Sequence, residues 1–325
     1  MNIVAADWLP YCLPLRRPWQ TSRGVLTERH GRLRRLTTDD GRTGWGDCAP
    51  LPEFGIDEAA APAFAEESAA LDLAAQAAGL PLNAWLSGRP PVASVAVNAS
   101  FGPIFTVDRN SLAQAAAAGY IVAKLKVGLA PVNDEIAALQ RLAATLPPAL
   151  RLRLDANRAW PLAAAQRFVA ACAGLPIDGL EEPLADPDST LLASLQAAAV
   201  FPLAIDESTH LLDANFFRHP PVRRLVLKPA RHGGLLASTE LALRARASGL
   251  EVIVTSALES ACGITALAHF AAAVAPDAVH GLATGDWFAS DTGPSPPVVD
   301  GRMRLPKGNG VGFAMEGKRC ISAPG

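Results

Sequence analysis

Two lysines, Lys124 and Lys126, stand two apart in the otherwise apolar run AKLKVG at residues 123–128. On a β-strand they share a face, where crowding and loss of solvent both disfavour the ammonium form. Three acids follow: Asp155 in LRLDAN, Glu181 in GLEEP and Asp206 in AIDES, spaced 26 and 25 residues apart. That spacing is about one β/α unit, so on adjacent parallel strands the three carboxylates stand at one height. Three convergent hard oxygens, with no His or Cys among them, suit Mg²⁺ or Mn²⁺ rather than zinc. Lys228, in LVLKP, comes after the acids. A substrate chelated to such an ion would have a lysine on each face, and a crowded, partly buried lysine can act as a general base near neutral pH. Each motif alone is bland. A KxK is commonly a solvated strand face, and DAN, EEP or DES an ordinary turn or helix cap. Their order at the ends of five successive strands is what carries meaning.

The elements able to position them begin near residue 94, where short Val/Ile/Leu runs alternate with longer helical patterns. Candidate strands read 94–99, 122–128, 150–157, 179–183, 202–208, 223–229, 251–256 and 278–284. Between them, stretches such as VNDEIAALQRLAATL repeat apolar residues at three- and four-residue spacing. Eight strands with helical crossovers predict a parallel α/β fold, a (β/α)7β or TIM-type barrel over 93–290. An open doubly wound sheet is the alternative, but no turn carries GxGxxG or a Walker lysine loop. Residues 1–92 have another texture. GRLRRLTTDDGRTGWGDC predicts two strands joined at DDGR, followed by a helix over about 58–79 and a Gly/Pro linker at 86–94. This predicts an N-terminal α+β capping domain. The tail, 291–325, predicts a loop and a short hairpin at DG that returns to the cap.

Composition narrows the partners. The 325 residues are 50% hydrophobic and 18% charged with a formal net charge of −2, which leaves no footprint for nucleic acid or an anionic membrane. Cys12, Cys48, Cys172, Cys262 and Cys320 are odd in number and never in CxxC spacing, which suits a reducing cytoplasm rather than a disulfide framework. No secretory signal is read at the start, and no apolar run reaches the roughly 18 residues of a membrane span. The expectation is a cytoplasmic enzyme for a small-molecule carboxylate, a monomer or weak homo-oligomer.

The ordered phrases AKLKVGL, LRLDANRAW, GLEEPL, IDES and LKP resemble the enolase superfamily, in its muconate-lactonizing subgroup with a lysine on each side. GWGDCAPLPEFG in the cap and VIVTSALESACGITALA near the end extend the likeness. The resemblance implies Asp155, Glu181 and Asp206 as Mg²⁺ ligands. It implies Lys126 as general acid/base, with Lys124 tuning it and Lys228 stabilising the intermediate from the far face. Lysine bases beside magnesium in this superfamily are a known pattern of tuned acid–base chemistry. Arg153 would pair a substrate carboxylate or the acids, and Asn157 would stand behind the ligands. The implied activity is that of a carbon–oxygen lyase, a hydro-lyase that removes a proton α to a carboxylate, with the metal acting as Lewis acid. Racemisation of N-acylamino acids or epimerisation of dipeptides by Lys126 and Lys228 is the alternative. A Schiff-base aldolase would leave the three acids unexplained. Thr255, Ser256 and Ser260, in place of a strand-seven histidine, offer hydroxyl and backbone N–H donors for a carboxylate. Glu182 and Glu207 are expected to pair with lysines. Residues 16–24 and 50–55, with Trp19 and Phe54, are candidate lids.

Overall fold

The computed structural model describes residues 1–21 and 24–316; Cys320 and the end of the tail lie outside them. The chain opens with a long antiparallel ribbon, β1 (Ile3–Thr21) against β2 (Gly24–Thr38), which continues through β3 (Thr43–Cys48). Sequence patterning misses β1 because Pro10, Pro14 and Pro18 interrupt it. Prolines are tolerated on an edge strand, and β1 is the edge of this sheet. β3 carries glycines for a packing reason. A Cβ on Gly44 would lie 2.2 Å from the Ala69 carbonyl oxygen, and one on Gly46 1.8 Å from that of Ala65. Both belong to helix α1 (Ala61–Ala77), which therefore rests directly on the sheet backbone. Helix α2 (Leu82–Ser87) completes this cap.

The barrel units follow. The predicted first strand splits at Asn98 into β4 (Ser94–Val97) and β5 (Ala99–Pro103). Then come α3 (Arg109–Ala117), β6 (Val122–Lys126), α4 (Val132–Ala143), β7 (Arg151–Asp155) and α5 (Leu162–Ala171). They continue with β8 (Ile177–Glu181), α6 (Ser189–Ala198), β9 (Leu203–Ile205) and α7 (Ala214–Arg218). The last units are β10 (Arg224–Leu227), α8 (Leu235–Ala247), β11 (Glu251–Val254), α9 (Ala261–Val274) and β12 (Val279–His280). Aspartates cap several of these helices: Asp108 accepts from the Ser111 N–H at 2.7 Å, and Asp188 from those of Thr190 and Leu191 at 2.8 Å.

Seven strands, β5 to β11, form one curled parallel sheet in sequence order. Closure comes through a seam rather than a full eighth strand. Only Val279 and His280 remain of the predicted 278–284 run, and they pair in parallel with β4. Thr255 bridges to Gly281 on one side of the seam, and the Asn98 N–H reaches the His280 carbonyl at 2.8 Å on the other. The hairpin β13 (Val298–Val299) and β14 (Arg302–Arg304) turns at Asp300 and Gly301, both at positive φ, and β14 pairs with β4. Beyond it, Gly310 bridges to Pro81 and the Val311 N–H donates to Asp72 of α1 at 2.8 Å.

Inside the barrel, Ala204, Val226 and Ile253 form a small apolar layer. On the side away from the strand C-termini lies a charged one. A register shift on β8 frees Asp178, which accepts from Arg153 Nε at 2.8 Å and Arg224 Nη1 at 2.7 Å. Gly179 leaves room for this, since a Cβ there would meet Arg224 Nη1 at 2.4 Å.

His269 and His280 brace the closure. The Nδ1 of His280 accepts from the Val254 N–H at 3.0 Å while Nε2 faces the Ala275 carbonyl at 3.0 Å. His269 does the same between the Asn83 N–H, at 3.2 Å, and the Val311 carbonyl, at 3.1 Å. Each therefore needs the neutral ring. Burial lowers both pKa values to about 4. A lowered histidine pKa gives stability that is complete above the unfolded value and lost as pH falls towards the folded one. Stability should thus decline between about pH 6.5 and 4, by on the order of 3 kcal/mol per histidine at the limit. Urea midpoints measured at pH 7.5 and 5 check this; equal midpoints would contradict the neutral-ring assignment.

Candidate active site

Parallel register sets the site. Lys126 is paired with Asp155, Asp155 with Glu181, and Glu181 with Ala204, two residues before Asp206. Side chains alternate along each strand, so Lys124 and Lys126, then Asp155, Glu181 and Asp206, face one interior from neighbouring strand ends. A pocket open at its mouth is lined by Lys124, Lys126, Asp155, Asp206 and Lys228, among others. Glu181 lies beneath them, fully buried.

Charges are matched unevenly. Lys124 Nζ stands 3.0 Å from Asp155 Oδ2 and 2.5 Å from Glu181 Oε2. Burial opposes its charge, yet the carboxylates of Asp155, Glu181 and Asp206 raise its pKa well above the ordinary lysine range. Lys228 Nζ contacts Asp206 Oδ2, and Arg231 Nη1 donates to Asp206 Oδ1 at 2.8 Å. Burial would raise the Asp206 pKa, but Lys228, Arg231 and Lys124 hold it well below the usual carboxylate range. Lys126 has no carboxylate partner among the described residues. Burial is the leading cause of its lowered pKa; Asp155 opposes the shift, and Lys124 and Lys228 add to it.

The acids fit a divalent cation. They are three carboxylates on adjacent strand ends, and Glu181 Oε1 is buried without a hydrogen-bond partner. Their oxygens do not all approach within 4.8 Å of one another; among the described residues only Cys12, Glu28 and His30, on the cap ribbon, do so. Lysine and arginine groups stand among the three acids in this structure. Behind them, Asn157 donates its N–H to Asp155 at 3.1 Å and its side-chain amide to Glu207 at 2.8 Å. Glu182 pairs with no lysine among the described residues, contrary to expectation. It accepts from the Asp206 and Ser208 N–H groups at 2.7 and 2.8 Å and from the Ser208 hydroxyl at 2.6 Å, which fixes the turn after β9. Glu207 turns to Asn157 instead, its pKa raised to about 8 by burial and by Asp206 and Asp155.

Two expected substrate contacts lie elsewhere. Arg153, 1% exposed, reaches Asp178, the Asn98 side chain at 3.2 Å and the Val279 carbonyl at 2.9 Å, so it braces the opposite end of the barrel. The N-terminus of α9 is already occupied: the Ser260 N–H donates to Asp47 of the cap and the Ala261 N–H to Asp291, both at 2.8 Å. Burial pushes Asp47 up to about 6 despite its bonds to Tyr11 and Ser260. Thr255 and Ser256 do line the pocket. Thr255 Oγ1 is buried and unpartnered, whereas the Ser256 hydroxyl is engaged by Glu259 at 2.7 Å.

The roof is aromatic. Trp19 stacks on Phe54 with ring centres 5.3 Å apart, and Trp287 closes from the other side at 6.3 Å. Lys126 Nζ lies 5.6 Å from the Trp19 ring centre, and Lys228 Nζ 5.7 Å from that of Phe54. Of the expected lid segment 16–24, Trp19 belongs to β1, while residues 22 and 23 lie outside the described part. Sequence reasoning missed Trp287 and Arg231. An aromatic residue soon after the last strand, in ATGDWF, and an arginine three residues after Lys228 were the available signals.

Residues 108–319 match the family described as Enolase C-terminal domain-like. The chain is 34% identical over 285 residues to o-succinylbenzoate synthase of Enterobacter sp. (strain 638), covering 80% of this chain and 84% of that one. Its fold is similar to that of the L-Ala-D/L-Glu epimerase from Bacillus subtilis, with a TM-score of 0.86 at 23% identity, covering 96% of this chain and 98% of the other. The muconate lactonizing enzyme from Pseudomonas fluorescens aligns with a TM-score of 0.84 at 23% identity, over 97% and 96% of the two chains.

If burial under the roof lowers the Lys126 pKa, Trp19→Ala should return it towards the ordinary value near 10.4. The midpoint of Lys126 acylation against pH, read by peptide mass spectrometry, reports this independently of accessibility. An unmoved midpoint would assign the shift to neighbouring charges instead.

Proposed function

Because the chain belongs to the enolase superfamily, in its muconate-lactonizing subgroup, we propose that it acts as an o-succinylbenzoate synthase. The reaction is the syn-dehydration of 2-succinyl-6-hydroxy-2,4-cyclohexadiene-1-carboxylate in menaquinone biosynthesis. What carries the step from superfamily to reaction is the 34% identity, over four-fifths of both chains, to a protein of that name. The site is compatible with it: one unpaired lysine of lowered pKa faces a pocket whose other lysines are ion-paired.

Asp155, Glu181 and Asp206 would hold Mg²⁺ or Mn²⁺, which supplies electrophilic stabilisation to the substrate carboxylate. Neutral Lys126 takes the proton α to that carboxylate. The C–OH bond then breaks, and the Lys126 ammonium returns its proton to the departing hydroxide, so water leaves and the lysine is regenerated. Lys228, across the pocket, offsets the negative charge that develops. Thr255 Oγ1, unpartnered in the pocket wall, would donate to a substrate oxygen. The cap, 1–92 with 291–325, would supply most of the roof, and the barrel, 93–290, the chemistry. Trp19, Phe54 and Trp287 limit water near the base.

Racemisation or epimerisation of an N-acylamino acid or dipeptide is the second reading, favoured by Lys126 and Lys228 lining opposite parts of one pocket. Dehydration assayed with Mg²⁺ and after chelation should show dependence on the metal. Lys126→Ala should lose about 10³-fold or more in kcat with its fold intact. Turnover retained in that variant would refute the assigned base. In D₂O, α-proton exchange with inversion of an N-succinylamino acid, faster than dehydration, would favour the second reading.

A further inference from the structure

Arg29 lies in β2, 4% exposed, and forms no ion pair among the described residues. Its guanidinium donates instead to three backbone carbonyls. Nη1 reaches Pro50 at 2.7 Å, Nη2 Ala49 at 3.0 Å and Nε Leu258 at 3.2 Å. A buried cation held only by neutral dipoles is costly to keep, and a planar fork fixes the relative positions of the groups it bonds.

Those carbonyls belong to two walls of the pocket. Ala49 and Pro50 lead into the loop closed by Leu51 and Ile56, whose backbones exchange bonds of 2.6 and 3.2 Å. That loop carries Phe54 into the roof. Leu258 lines the pocket and is held at φ +58, a conformation that L-residues seldom adopt. The cap has other ties to the barrel: Asp47 accepts from the Ser260 N–H and Glu67 from the Leu235 N–H. Docking of the cap as a whole therefore does not hang on Arg29.

We propose that Arg29 is a positioning residue for the reaction, which sets the roof loop against the wall formed by residues 255–258 and so determines how tightly the pocket closes on substrate. It acts through Phe54 and Leu258 and touches no reacting atom. Its effect falls on substrate binding, because Lys126 and the three acids are placed by strands it does not contact. The kinetic part rests on the reaction proposed above; the structural part does not.

The test uses the full-length protein with Mg²⁺ and two variants. Arg29→Lys keeps the charge without the fork, and Arg29→Met keeps the length without either. Both should raise KM about tenfold while kcat stays within about threefold. Hydrogen–deuterium exchange should quicken in residues 49–56 and 255–260 and stay unchanged in α1 and β3. Unchanged KM and exchange in folded variants overturn the proposal. So does exchange that quickens across the whole cap, or failure of both variants to fold, since Arg29 would then be a general fold residue. If the wild-type protein does not dehydrate the cyclohexadiene, the reaction fails as a reading, and the exchange pattern still decides the role of Arg29.

Discussion

Parallel strands held in register put residues of equal height side by side, and the pocket depends on that constraint. Lys126, Asp155 and Glu181 are direct register neighbours on three strands. A slip of one residue on any strand would turn its charged group outward into the apolar layer beneath the helices. The core around the sheet resists such a slip, because Leu125, Leu154 and Leu180 would turn inward at the same time. Packing on the outside of the barrel thus fixes chemistry on its inside.

The second constraint is charge balance at low solvent exposure. Three buried carboxylates are tolerable because Lys124, Lys228 and Arg231 stand among them. This changes how the KxK pair is understood. Lys124 is less a repulsive neighbour than a counter-ion to Asp155 and Glu181, which leaves Lys126, of the three pocket lysines, without a carboxylate partner among the described residues. Of the two expected causes, burial beneath the aromatic roof leads in lowering the pKa of that amine, and crowding by Lys124 and Lys228 adds to it.

Much of this was legible in the sequence because repetition encodes it. A β/α period near 25 residues placed the acids, and strand alternation placed the lysines beside one another. Less legible was whatever depends on contacts distant in the chain. Arg153 has the right residue type, two positions before Asp155, but Asp178 and the seam draw its guanidinium to the other mouth. Ser260 caps a helix whose start is taken by Asp47, more than two hundred residues earlier, and by Asp291, thirty residues later. β1 was hidden by prolines that only an edge strand accommodates, and the eighth strand, read as 278–284, is cut by the seam to two residues.

That seam has a consequence for the order of assembly. β4 meets its partners only when segments near residues 280 and 303 arrive, about 180 to 210 residues later in the chain. Gly281, Thr284 and Trp287, which line the pocket, arrive with them. Until those segments are made, the seven-stranded sheet is an open arc with its β5 and β11 edges unsealed. Long-range closure of this kind is slow, and an unpaired parallel edge invites pairing with a neighbour. The chain's most vulnerable moment is thus the interval before its two distant ends meet.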